Sequence, residues 1–266
     1  MSGIGHFDVA GLRLRDNPAR DACFRLVLSD TEMHEYEPSH PLARREMVHR
    51  HMSNEITSLD IAAQCLADFP DALWELRLEL ARQCWDESRH VAALARRLRE
   101  LGGAKGEFPI SAFEWNVTCA LDDLPGRLAT QNRTFEAGAM DVVAGLASGL
   151  RGAGDPGTAE VIEAILADEI QHVRFANRWI KRLVDEDRRV LLKLVAAIRF
   201  LARANAALQA REGEVNAVGV ALADPADRVP AVNVEDRRLA EFTDEEIQEV
   251  LRQAGFRSLS SEPAVP

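Results

Sequence analysis

The chain has 266 residues, 47% apolar and 28% charged, which is ordinary for a globular protein with a sizeable core. Its 32 basic and 43 acidic side chains give a net charge of −11, which argues against nucleic-acid binding. No apolar run reaches membrane length, no signal peptide opens the chain, and the four cysteines form no C-x-x-C pair. We therefore expect a cytoplasmic protein with reduced thiols and without nucleic-acid or membrane partners.

Residues 1–39 show little helical periodicity, and we interpret them as an N-terminal arm. Within the arm, residues 24–28 alternate weakly and predict a short strand or an extended stretch. Turn-forming residues surround Pro18 and Pro38. The arm therefore ends where the first strong helical pattern begins.

An apolar stripe at steps of three and four residues predicts the first long helix, from about Pro41 to Ala67. The stripe consists of Val48, Met52, Glu55, Leu59, Ala62 and Leu66. Glu55 stands in the middle of this core-facing line. A carboxylate there must be paired or bound to a metal, because burying it alone is very costly.

The second helix is predicted from about Asp71 to Leu101, closed by two glycines. Glu87 falls in its apolar line, and His90 follows one turn later on the same face. A connection and a short helix over residues 111–121 come next. A stretch of this length suggests a crossover connection between the second and third core helices.

Two more core helices are predicted, from about Pro125 to Leu150 and from Gly157 to Val184. The inner line of the first carries Glu136, and that of the second carries Glu169 and His172. A fifth helix over about 187–211 and a last short helix over about 244–254 follow. We assign residues 40–185 to a four-helix bundle and residues 186–266 to an additional helix and a C-terminal tail.

The two halves of the bundle repeat one another. Glu55 and Glu87 are 32 residues apart, and Glu136 and Glu169 are 33 residues apart. Each half is a helix with a central glutamate followed by a helix with a Glu-x-x-His motif, which is an internal repeat. Dinuclear iron or manganese bundles use this set of residues. The predicted metal ligands are Glu55, Glu87, His90, Glu136, Glu169 and His172.

Charge and ligand chemistry support this interpretation. Two divalent ions carry four positive charges, which four carboxylates neutralise, and oxygen with imidazole ligands suits iron or manganese. Asp86 and Asp168 each precede a motif glutamate, and we predict that they hold the imidazole N–H groups. His51 and Arg133 are candidate substrate contacts. A solvated histidine and an ion-paired arginine are the alternatives for these two residues.

Several of these segments resemble known metalloproteins. The run Asp86–His90 fits the Asp-Glu-x-Arg-His pattern of di-iron monooxygenases in the ferritin-like superfamily. A bacterial ferritin-like family of unknown function resembles the chain more closely. The resemblance is carried by Glu55, by residues 86–90, by residues 98–102 with Phe108-Pro109, and by residues 167–172 with Arg178-Trp179.

The resemblance covers about residues 40–185. It implies an all-α fold, a ferritin-like four-helix bundle with a crossover connection, and the same six metal ligands. Gln171 stands where the monooxygenase pattern has an arginine in the second copy of the motif. The arm and the segment after about residue 212 lie outside the resemblance.

Three functions fit these observations. The leading hypothesis is an oxygen-activating di-iron oxidoreductase, of the hydroxylase, N-oxygenase or desaturase type, acting on a small organic substrate with two iron ions or a manganese–iron pair. The alternative is a ferritin-like ferroxidase, iron-storage or peroxide-scavenging protein. The third is a non-catalytic helical module. Dioxygen, a small-molecule substrate and an electron donor are the expected partners, and a homodimer is a further expectation.

Overall fold

The computed structural model describes residues 5–28, 32–33, 36–215 and 232–256. It confirms the all-α class, because helices make up most of the chain. The chain forms two compact units, Met1–Gln131 with Leu183–Val220 and Asn132–Arg182 with Ala221–Pro266. Within the described residues, no helix is both long enough and apolar enough to cross a membrane.

A helical hairpin is the main element of the first unit. It consists of α1 (Ala43–Asp68) and α2 (Trp74–Glu100), which pack along their length. Both helices lie within three residues of their predicted bounds. Glu55 lies 13 residues before the end of α1, and Glu87 lies 13 residues after the start of α2. The hairpin therefore brings the two carboxylates to the same level.

Four short strands complete the N-terminal part of this unit. β1 (His6–Val9) and β2 (Leu12–Arg15) form an antiparallel hairpin that the periodicity did not predict. β3 (Leu26–Val27) pairs in parallel with β4 (Ile110–Ser111), which confirms a short strand within residues 24–28.

The hairpin of β1 and β2 is attached to the short helix α3 (Phe113–Thr118). The Asn116 side-chain amide donates to the Arg15 carbonyl oxygen at 2.8 Å, and the Trp115 indole N–H donates to the Asp16 carbonyl oxygen at 2.8 Å. The four cysteines of the chain form no disulfide.

The segment predicted as one helix from Pro125 to Leu150 consists of three pieces. They are α4 (Leu124–Thr130), a π-helical stretch (Gln131–Glu136) and α5 (Ala137–Gly152). The prediction of a continuous α-helix is therefore wrong in its middle, since a π-helix carries one extra residue per turn that a stripe of apolar residues does not reveal. In the first unit, α7 (Val190–Val215) packs against α4.

The second unit is built on α5 and on α6 (Pro156–Glu186), whose last four residues belong to the first unit. Two short helices follow: α8 (Val234–Leu239) and α9 (Asp244–Gln253). Helix α9 matches the predicted last helix, whereas α8 was not predicted. Helices α5, α6 and α9 and the connection between α8 and α9 form one core, and Val234 of α8 packs against it. The core consists of Ala137, Met140, Val173, Ala240, Phe242, Ile247 and Leu251.

Buried polar contacts fix the C-terminal helices in the second unit. The guanidinium of Arg237 is buried and donates to both carboxylate oxygens of Asp141, at 2.9 and 2.5 Å. The side-chain amide of Asn177 donates to the Ala240 carbonyl oxygen at 2.7 Å. These contacts therefore attach the segment that carries α8 and α9 to helices α5 and α6.

Candidate metal centre

Helices α1 and α2 place three predicted ligands together in the first unit. Nδ1 of His90 lies 3.1 Å from Oε2 of Glu55 and 3.0 Å from Oε2 of Glu87. All three side chains are buried, and Glu87 has no exposed surface. Each offers a ligand atom within 4.8 Å of the others. We call these three residues the first triad.

The local sequence explains this geometry. Glu87 and His90 are one turn apart on the same face of α2, and the α1–α2 hairpin brings Glu55 to their level. Gln83, one turn before Glu87 and also buried, directs its side-chain amide at Oε1 of Glu87 from 3.4 Å. The carboxylate of Glu87 is therefore held from both sides along the helix.

The electrostatics of the first triad favour a cation. Burial alone lowers the pKa of His90, but the hydrogen bonds and charges of Glu55 and Glu87 outweigh it and raise the pKa to about 11. Two carboxylates buried this deeply need a positive charge beside them. A divalent ion supplies that charge with ligand types that iron and manganese accept, so these residues fit such an ion.

The second unit contains a matching cluster, Glu136 with Glu169 and His172, which we call the second triad. Glu136 ends the π-helical stretch, and the other two residues lie one turn apart on α6. All three are buried and offer ligand atoms within 4.8 Å of one another. Nδ1 of His172 lies 3.7 Å from Oε2 of Glu169. This spacing suits two ligands of one ion.

Asn132 supports Glu136 as Gln83 supports Glu87. Its buried side-chain amide donates to Oε2 of Glu136 at 2.8 Å, and it lies 3.5 Å from the carbonyl oxygen of His172. Both amides precede their glutamate by four residues. Sequence reasoning missed their role, although an amide one turn before a core glutamate is a signal that was available. The π-helical stretch itself had no such signal, and π-helical turns often occur at functional sites.

Asp86 is buried beside the first triad, on α2. Arg89 donates to its Oδ1 at 2.5 Å, and Nε of Arg82 lies 3.4 Å from Oδ2. Asp168 lies half-buried on α6. The role of both aspartates towards the imidazoles stays a prediction.

The two candidate substrate contacts lie in different environments. His51 is half-buried on α1, and burial, with a smaller effect of the Arg50 charge, lowers its pKa to about 4. It is therefore neutral at pH 7. Arg133 forms an ion pair with Glu246 at 2.6 Å, and its guanidinium lies 4.9 Å from the centre of the Phe242 ring. The described contacts of Arg133 are thus those of an ion-paired residue.

Each unit therefore presents a buried Glu/Glu/His cluster that could hold a metal ion. Comparison with curated proteins and with solved structures gave no match. A family model described as "Protein of unknown function (DUF455)" matches residues 8–248, which is most of the chain. The match includes both triads, the π-helical stretch and helix α8. The chain belongs to this family, DUF455.

Proposed function

We propose that the protein is an oxygen-activating oxidoreductase whose two triads serve one dinuclear metal centre, with iron or a manganese–iron pair. The observation that carries this proposal is the equivalence of the triads. Each unit buries two carboxylates and one imidazole whose ligand atoms lie within 4.8 Å of one another. The repeat in the sequence relates the same six residues. A bound dinuclear centre of this type supplies the means to reduce dioxygen and oxidise a small organic substrate.

The protein residues have three roles in this proposal. Glu55, Glu87, Glu136 and Glu169 supply four negative charges, which balance two divalent ions. His90 and His172 supply neutral nitrogen ligands when metal replaces the imidazole proton. The amides of Gln83 and Asn132 fix the orientation of Glu87 and Glu136, so the ligands are held in place before metal binds.

The environment of the triads also suits this chemistry. The inner line of α2 continues beyond Glu87 and His90 as Leu94 and Leu98, both fully buried. Apolar side chains on this side of the first triad help to exclude water, and a dry site protects reactive species from side reactions. An enzyme that oxidises an organic substrate needs this protection, so the surroundings support an oxidase or oxygenase.

The test begins with metal content. Protein loaded with ferrous iron under anaerobic conditions should hold about two irons per chain by elemental analysis. Mixing with oxygen should then consume oxygen with a stoichiometry limited by the bound iron. Repeated oxidation of excess ferrous iron, together with a cage-sized assembly in size-exclusion chromatography, would instead identify a ferroxidase. A chain that binds no iron or manganese would contradict the proposal.

A further inference from the structure

The side of α2 that faces solvent carries a line of tryptophan, leucine and arginine side chains. Its members recur at steps of three, four and seven residues and are all exposed. We call this line the Trp/Arg stripe; it consists of Trp74, Leu78, Arg82, Trp85, Arg89 and Arg96. Trp74 and Trp85 are 64% and 66% exposed, and Leu78 is 49% exposed. Large apolar side chains in one exposed line indicate an interaction surface.

The charge of the stripe indicates the chemistry of the partner. Arg82 and Arg89 share the single carboxylate of Asp86, so these three side chains together carry a net charge of +1. Arg96 has no acidic partner among the residues that the structure describes. Glu75 and Glu79 flank only the first turns of the helix, so positive charge accumulates from Arg82 onward. On a chain of net charge −11, this surface fits an acidic partner.

A second copy of the stripe packed in the parallel direction would place arginines against arginines, and one packed antiparallel would offer them only the two carboxylates of Glu75 and Glu79. Tryptophan and arginine are the residues that contribute most to the binding energy of protein interfaces. The expected occupant is therefore an acidic protein. Its carboxylates would pair with the arginines of the stripe, and apolar groups inside its charged rim would contact the tryptophans and the leucine.

The position of the stripe indicates what this partner does. Trp85 is exposed on the outer side of α2, while Glu87 and His90 point inward from the same helix into the first triad. A helix with its side chains is about 10–12 Å across. A protein bound to the stripe therefore sits about one helix width from two metal ligands.

We propose that the Trp/Arg stripe binds an acidic one-electron carrier protein that reduces the metal centre; this inference rests on the proposed function. Oxygenation of a C–H bond needs two electrons from outside the substrate. In each turnover two reduced carriers lose one electron each. These two electrons, two protons and dioxygen convert the substrate C–H to C–OH, and the second oxygen atom leaves as water.

Binding is tested on the full-length chain, both metal-free and iron-loaded. The probes are two acidic carriers, a plant-type [2Fe–2S] ferredoxin and a flavodoxin, titrated by calorimetry at low ionic strength. We expect at least one carrier to bind, with an affinity that falls as salt is added. The double variant Trp85→Ala with Arg96→Glu should weaken that binding at least tenfold. The matched control is Arg199→Glu, the same charge change at an exposed position of α7.

A second measurement separates the stripe from the metal centre. The double variant should hold as much iron as the wild-type protein and should be reduced as fast by dithionite, whereas reduction by the carrier should be at least tenfold slower. The inference is overturned if neither carrier binds, if the variant binds and is reduced as well as the wild-type protein, or if a single-stranded oligonucleotide binds the stripe in place of the carriers. If the chain binds a carrier but takes up no iron when it is loaded, both the delivery of electrons to a metal centre and the proposed function are contradicted.

Discussion

Nδ1 of His90 on α2 lies 3.1 Å from Oε2 of Glu55 on α1. The contact joins two helices through charged groups in the core, where an apolar pair would stabilise the fold with less desolvation. A protein that keeps such a pair buried keeps it for chemistry or for specificity. With the neighbouring carboxylate of Glu87, the three residues form a buried cluster that could hold a metal ion.

Replacing a triad glutamate should remove metal. Glu87→Ala takes away one of the two carboxylates of the first triad, and Glu136→Ala does so in the second. Each variant should lose at least half of the bound iron, measured by elemental analysis after anaerobic loading. Glu79→Ala, on α2 but outside the triad, should keep full iron content. If both triad variants hold as much iron per chain as the wild-type protein, the assignment of these glutamates as metal ligands is wrong.

The amides that hold the triad glutamates should matter for affinity. Gln83→Leu and Asn132→Leu keep the size of the side chain but remove the contacts to Glu87 and Glu136. Each should weaken metal binding by roughly 10–100-fold in a competition titration with a chelator. Gln64→Leu is the control, since Gln64 also donates to a carboxylate one turn later, that of Asp68, away from the triads. Equal affinity in all three variants would show that the amides only fill space.

Two adjacent arginines should differ sharply in their effect on stability. Arg237→Met leaves the carboxylate of Asp141, whose side chain is 10% exposed, without its guanidinium and should cost about 3–5 kcal/mol of unfolding free energy. Arg238→Met breaks only an exposed pair with Asp244 and should cost less than about 1 kcal/mol. Urea unfolding of the two variants measures both values. Similar losses would mean that α8 is not fixed by the Arg237–Asp141 pair.

The contribution of Glu246 should depend on pH. Burial alone would raise the pKa of Glu246, but the Thr243 backbone N–H and the charge of Arg133 lower it overall. A lowered pKa means that the ionised side chain stabilises the folded state above the unfolded value of about 4.3, and that this stabilisation is lost as the pH falls through the folded pKa.

Glu246→Gln should therefore destabilise the protein at pH 7 and have a shrinking effect below about pH 4. Urea midpoints of wild-type and variant protein across this range provide the measurement. If the difference between the urea midpoints of the wild-type protein and the variant does not change with pH, the charge of Glu246 does not have this role.

The helices that carry the triads could be predicted from sequence because their apolar stripes are long and regular. Charged residues inside such a stripe are conspicuous, and for that reason the sequence predicts Glu55, Glu87 and Glu136 as site residues. The ends of α1 and α2 were also predicted closely, because proline and glycine mark them. The contacts that join the triad residues depend on packing between helices, which periodicity alone does not contain.

Other features left no usable pattern. The turn between β1 and β2 consists of Ala10 and Gly11, both with positive φ. Alanine is rare in that conformation, so the sequence lacks the Asn-Gly signal of such a hairpin. Helix α8 has six residues and is stabilised by the contacts of Arg237 and by Asn233, whose side chain accepts from the Asp236 backbone N–H. Short elements that depend on tertiary contacts escape an analysis based on stripes.

The large sequence separation of α8 and α9 from helices α5 and α6 has a consequence for biosynthesis. Chains fold from the N-terminus as they leave the ribosome. Met140 and Val173 emerge first, and Phe242, which covers them in the finished core, is translated 69 residues after Val173. The second triad is therefore carried by helices whose apolar face stays open until residues 242–251 have been synthesised, and an open apolar face is a site at which a nascent chain can aggregate.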